Sequence, residues 1–220
     1  MIVQATIDLD KVGMTPEQWS SFIGDNFWFE VEQKPSYSNH LRDMTQGWQR
    51  LCTVEDWNGE VTAWDNGWRD PGVYALVYDK DNKGLHPVLS NRTLCFGETT
   101  QHIYKRVNTH VLALKGRVSN MTEKWSKYDK VVNKAFNFDV RNELDKVWIW
   151  YRPHHLTDKD WAFDRSHSCL MEKQAHAQYK AFWFHGAPAN TRDLPDYDLV
   201  QRSKKFLLEK YPHFEKYLTN

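Results

Sequence analysis

Three short apolar runs, separated by a long stretch of helical spacing, organise the middle of the chain. Val73 to Tyr78 is almost continuously apolar and rich in β-formers, with Pro71-Gly72 before it and a polar loop from Asp79 to Gly84 after it. That pattern predicts a mostly buried strand. Thr93 to Phe96 reads as a second strand, stopped by Gly97 and antiparallel to the first, and Val147-Trp148-Ile149-Trp150-Tyr151 as a third, closed by Arg152-Pro153. Between them Ile103, Val107, Val111 and Leu114 recur at helical spacing, with Thr99 or Thr100 as cap and Gly116 as a left-handed stop. Further helices are predicted over Trp125 to Phe136 and from about Ser166 to Phe184, where Pro188 ends the run, and in the tail through Leu199, Phe206, Leu207 and Tyr211. Upstream, Ile2 to Asp8 suggests a strand, and Thr15-Pro16 with Gln18 starts a helix lined by Trp19, Phe22, Ile23 and Phe27. Leu41, Met44, Trp48 and Leu51 predict another helix, and Asn58-Gly59 a tight hairpin between 54–57 and 60–64.

The expected fold is α/β in the α+β sense: a small three-stranded antiparallel sheet flanked by helices, with an N-terminal lobe over 1–70, a core over 71–190 and a helical tail over 191–220. At 220 residues the chain fits one enlarged domain or one small domain with an added lobe. Lys and Arg total 29, as do Asp and Glu, yet the charge is unevenly spread. Residues 1–70 hold 5 basic and 12 acidic side chains, whereas 101–141 hold 9 basic and 3 acidic ones. A local basic stretch of this kind suits a phosphate backbone, and the acidic leader does not. Cys52, Cys95 and Cys169 are odd in number and far apart, which excludes a disulfide framework. No basic leader and no run of 18 apolar residues is present, so no membrane role is expected and a cytoplasmic protein is the simplest reading.

Arg106 and His110 are one turn apart on a predicted helix, so a guanidinium and an imidazole can meet one phosphate. Lys124, Lys127, Lys130 and Lys134 follow at spacings of three and four, and with Lys115 and Arg117 they are candidate backbone contacts. Tyr74 stands near the start of a strand where Gly72 allows close approach of another chain. Glu172 lies on a late helix with His176 four residues on. His154, His155, His167, Cys169 and His176 match no standard zinc spacing. Most of the eleven tryptophans fall at core-like positions.

Taken in order, these residues resemble the GIY-YIG nuclease family. Gly72-Val73-Tyr74 is similar to its first motif, Cys95-Phe96-Gly97 to its second, Arg106 through His110 to its arginine helix, Glu172 to its late-helix carboxylate and Asn190 to its terminal asparagine. The resemblance covers about 71 to 190 and implies an endonuclease that hydrolyses DNA with Mg²⁺ or Mn²⁺ held by Glu172. It further implies that Tyr74 positions or deprotonates the attacking water, Arg106 neutralises phosphate charge, His110 assists Tyr74 or a proton relay, and Asn190 orients the site. A restriction or phage-type enzyme of a bacterial or phage-infected cell fits this length. Cys95 replaces the second motif's tyrosine, and Tyr104 is one candidate to supply the missing hydroxyl. The leader is read as a specificity or homodimerisation lobe, or as a docking site for a protein partner. The alternatives are a catalytically silent nucleic-acid-binding protein of the same fold and an interaction module acting through its acidic lobe.

Overall fold

The computed structural model describes residues 41–58, 72–99, 103–153, 161–183, 186–190 and 195–218, without the side chains of 127, 128 and 161–168. They belong to one compact unit, Leu41–Asn220. The strand expected at 2–8, the helix from Thr15 to Phe27 and the hairpin arm at 60–64 lie outside the described residues.

The unit is mixed helix and sheet. Its centre is a four-stranded antiparallel sheet in the order β1 (Gln49–Thr53), β4 (Val147–Pro153), β2 (Gly72–Tyr78), β3 (Thr93–Thr99). The helices are α1 (Ile103–Leu114), α2 (Thr122–Phe136), α3 (Trp161–Trp183), α4 (Tyr197–Lys210) and the short α5 (Glu215–Leu218). β2 is buried along its whole length because it is paired on both sides and covered on both faces. Its side chains alternate between the two layers. Tyr74, Leu76 and Tyr78 pack with Val107, Val111 and Trp125 of α1 and α2. Val73, Ala75 and Val77 pack with Met171, Ala175, Tyr179 and Leu207 of α3 and α4.

The sheet has one strand more than the sequence predicts. The expected helix through Leu41, Met44, Trp48 and Leu51 is instead a turn leading into β1, which pairs with β4. Side chains of α3 take the hydrogen bonds a helix would have used there. Gln174 Oε1 accepts from the Arg42 N–H (3.1 Å), Gln178 Oε1 from the Met44 N–H (2.9 Å), and Gln178 Nε2 donates to the Arg42 carbonyl (2.6 Å). Residues assigned by sequence to the leader therefore complete the sheet. β1 ends at Thr53, and 54–56 form a turn rather than the first arm of a hairpin.

Gly97 is not a stop. β3 continues to Thr99 with Gly97 directly across from Tyr74. The edge of β3 is lined by the chain after α3. The Ala189 N–H donates to the Leu94 carbonyl (2.9 Å), and the Asn190 side chain both accepts from the Phe96 N–H (2.7 Å) and donates to the Phe96 carbonyl (2.9 Å).

Candidate functional site

The first two motif glycines both exist for close approach. A Cβ on Gly72 would meet the Arg152 carbonyl oxygen at 2.4 Å, so β2 begins tight against β4. A Cβ on Gly97 would lie 2.1 Å from Tyr74 Oη and 2.2 Å from its Cζ, so the phenol lies flat across β3 over the missing side chain. Its hydroxyl is thereby carried to the edge strand of the sheet. There Tyr74 Oη stands 2.7 Å from His110 Nε2, and the Trp125 indole N–H donates to His110 Nδ1 at 3.0 Å. Tyr74, His110 and Trp125 are all buried. Burial, with Lys124 and Arg106 nearby, holds the His110 imidazole well below its ordinary value, so it is neutral. Burial foremost pushes the Tyr74 phenol well above 10, with Arg106 opposing the rise and Cys95, Glu172 and Glu98 adding to it.

Those influences identify which charges lie within electrostatic range of the hydroxyl. Arg106 acts on both Tyr74 and His110, and among the described residues its guanidinium has neither an ion pair nor a hydrogen bond. Glu172 comes from α3, the layer opposite α1, yet its charge is felt at Tyr74 and at Cys95. Its carboxylate is 23% exposed and has His176 Nε2 at 3.8 Å. Glu98, the penultimate residue of β3, is a second carboxylate felt at Tyr74, and it hydrogen-bonds the Cys169 thiol. Lys124 also acts on both His110 and Cys95. Four sequence-predicted residues, Tyr74, Arg106, His110 and Glu172, thus share one electrostatic neighbourhood.

The remaining candidates occupy separate places in the fold. Cys95 is fully buried and its thiol is pushed up to about 11 by burial, so it offers no polar reach into the site. Tyr104 does not replace it: two residues before Arg106, it projects from the opposite flank of α1 and stacks on Trp57 at 5.7 Å. Asn190 acts through the backbone of Phe96, one residue from Gly97. Lys115 is committed to the carbonyls of Glu55 (2.7 Å) and Trp57 (3.2 Å), which ties the end of α1 to the chain following β1. Arg117, Lys130 and Lys134 are exposed and Lys124 half-buried, while the Lys127 side chain lies outside the described residues, as do those of His154, His155 and His167.

Sequence reasoning missed Trp125, Glu98 and Tyr151. Tyr151 is the β4 partner of Tyr74 and brings a second phenol to the same sheet face, where its hydroxyl donates to Gln49 Oε1. A strand tyrosine and a strand glutamate carry no sequence signal of their own. Trp125 had one, since it is the single large aromatic at the core-facing start of the lysine-bearing helix. Compared with family models, curated proteins and solved structures, the chain matches none of them.

Proposed function

We propose that this chain is a metal-dependent endonuclease of the GIY-YIG type that hydrolyses DNA phosphodiesters. One observation carries the reading: the phenol of Tyr74, freed to cross β3 by Gly97, meets His110 at 2.7 Å within electrostatic range of the Arg106 cation and the Glu172 carboxylate. Phosphodiester hydrolysis needs an oriented nucleophile and a fixed cation for charge developing on phosphate. Tyr74 orients the water, because its neutral phenol has both a hydrogen to give and a lone pair to receive. Arg106 faces the phosphate as a charge that no described carboxylate neutralises. His110 fixes the phenol, and Asn190 and Gly97 hold β3 in the plane that allows it.

Two oxygen donors support a hard divalent ion: Glu172 is a partly exposed carboxylate, and Glu98 lies near the same Cys169 thiol. Among the described residues no group of three or more His, Cys, Asp or Glu is placed to hold a metal ion of any kind, so the reading rests on these carboxylates. Mg²⁺ or Mn²⁺ held by one or two carboxylates keeps most of its waters and stabilises charge on a leaving oxygen when bound. Glu172 would hold it.

A silent DNA-binding version of the same site is favoured by Cys95, which leaves the second motif without its phenol. Nicking of supercoiled plasmid by the full chain, with and without Mg²⁺, separates the two. Metal-dependent nicking that Glu172→Gln abolishes and Tyr74→Phe lowers by ~10²-fold or more supports the enzyme. Salt-dependent plasmid binding with no cleavage supports the silent protein. Absence of both overturns the proposal in favour of an interaction module.

A further inference from the structure

We propose that Trp125 is a positioning residue that fixes the direction of the hydrogen-bond chain through His110, so that His110 donates to Tyr74 and never receives its proton. The inference rests on the nuclease reading for its catalytic consequence, but not for its geometry. An indole nitrogen can only donate. With Trp125 Nε1 at 3.0 Å, His110 Nδ1 must therefore present a lone pair. The rings meet nearly edge to face, at 80° with centroids 6.0 Å apart, an arrangement compatible with the indole N–H pointing at the Nδ1 lone pair.

A neutral imidazole has one hydrogen, which is left on Nε2. That nitrogen faces Tyr74 Oη at 2.7 Å, so the phenol oxygen is the acceptor in this contact. Trp125 and His110 are 0% and 1% exposed, which gives Nδ1 no bulk water to turn to. The charged and titratable groups acting on His110 agree with a neutral ring. Lys124 from α2 and Arg106 from its own helix both oppose a third positive charge. Tyr74 on β2 and the Cys95 thiol on β3 are neutral at physiological pH, and Glu172 from α3 is felt at both of them.

The chain runs Trp125 to His110 to Tyr74, and the phenol's own hydrogen is left for whatever lies beyond it. Two consequences follow. His110 is excluded as the base that activates Tyr74, which removes the relay expected from sequence. The His110 N–H also supports negative charge on the phenol oxygen whenever Tyr74 passes its proton outward.

The test uses the full chain with ¹⁵N-labelled histidine. Long-range ¹H–¹⁵N spectra are expected to show His110 with an unprotonated Nδ1 and a protonated Nε2, unchanged between pH 5 and 8. A protonated Nδ1, or titration in that range, overturns the proposal. Trp125→Phe keeps an aromatic ring but removes the donor together with part of the buried ring volume, so its unfolding midpoint is measured alongside. In that variant, folding verified by circular dichroism, the His110 tautomer is expected to become mixed and plasmid nicking to fall by ~10²-fold with a shifted pH profile. Unchanged nicking with an unchanged profile overturns the positioning role. If Trp125→Phe does not fold, the wild-type spectra still decide. If the wild type does not nick DNA, the nuclease reading fails while the tautomer assignment stands or falls on its own spectrum.

Discussion

Gly97→Ala is the most informative single change, because ordinary expectation and this structure disagree about its sign. In a strand interior, alanine normally stabilises relative to glycine by about 0.5–1 kcal/mol. Here the new methyl would lie 2.1 Å from Tyr74 Oη, 2.2 Å from Cζ and 2.8 Å from Cε1, where carbon contacts settle at about 3.5–4.0 Å. The phenol must retreat by more than ~1 Å. It has nowhere to go, since the ring is buried and its hydroxyl is seated on His110. Overpacking of this kind costs about 1–3 kcal/mol, and the displaced hydroxyl leaves the His110 Nε2–H buried without an acceptor for roughly 1–3 kcal/mol more. Together these cost about 2–6 kcal/mol, against which the ordinary alanine gain of about 0.5–1 kcal/mol is small. Urea unfolding of Gly97→Ala, Tyr74→Ala and the double variant measures it, and in the Tyr74→Ala background the methyl should cost little. A coupling of about 2 kcal/mol or more is expected. Additive effects, or a stabilised Gly97→Ala, would refute the placement of the phenol across β3.

Acid should weaken the fold through two histidines. His110 is held well below its ordinary value and His86 down to about 4, both chiefly by burial. The unfolded chain takes up these protons at about 6.5 and the folded chain does not, so stability falls with pH below that point by up to about 1.4 kcal/mol per unit for each group. The His86 share stops growing near 4. Urea midpoints at pH 7.5 and 5.5 measure the loss, and His86→Gln should reduce it; equal midpoints in the wild type would contradict the burial of both rings. Lysines that look alike in sequence should separate in function. Lys115→Met is expected to lower stability by ~1 kcal/mol with no change in the salt dependence of DNA binding. Lys134→Gln is expected to leave the unfolding midpoint in place and to reduce the salt slope by about 0.9, the contribution of one phosphate contact.

The helix bearing Arg106 and His110 was legible because its apolar stripe is regular: Ile103, Val107, Val111 and Leu114 are all buried, and Gly116 takes the left-handed conformation after it. β2 was legible as a continuous apolar run because the sheet is covered on both faces. β1 was not. Met44 is buried against α3 while Leu51 lies in a strand, so their helix-like spacing joins residues whose burial has separate causes. The relative placement of Tyr74, His110 and Glu172 also exceeded what spacing can tell, since it depends on two helices packing on opposite faces of one edge strand. Gly97 illustrates the gap. Turn glycine and mid-strand glycine look identical until the register with Tyr74 is known.

The Ala189-Asn190 segment also bears on self-association. A bare outer rim on β3 would invite another chain to add itself as a further strand. That rim already spends its main-chain groups at Leu94 and Phe96 on three intramolecular bonds. A newcomer would have to displace all three, at about 1 kcal/mol each, before gaining any. Ala189 and Asn190 therefore make this stretch of the rim a poor template for strand addition.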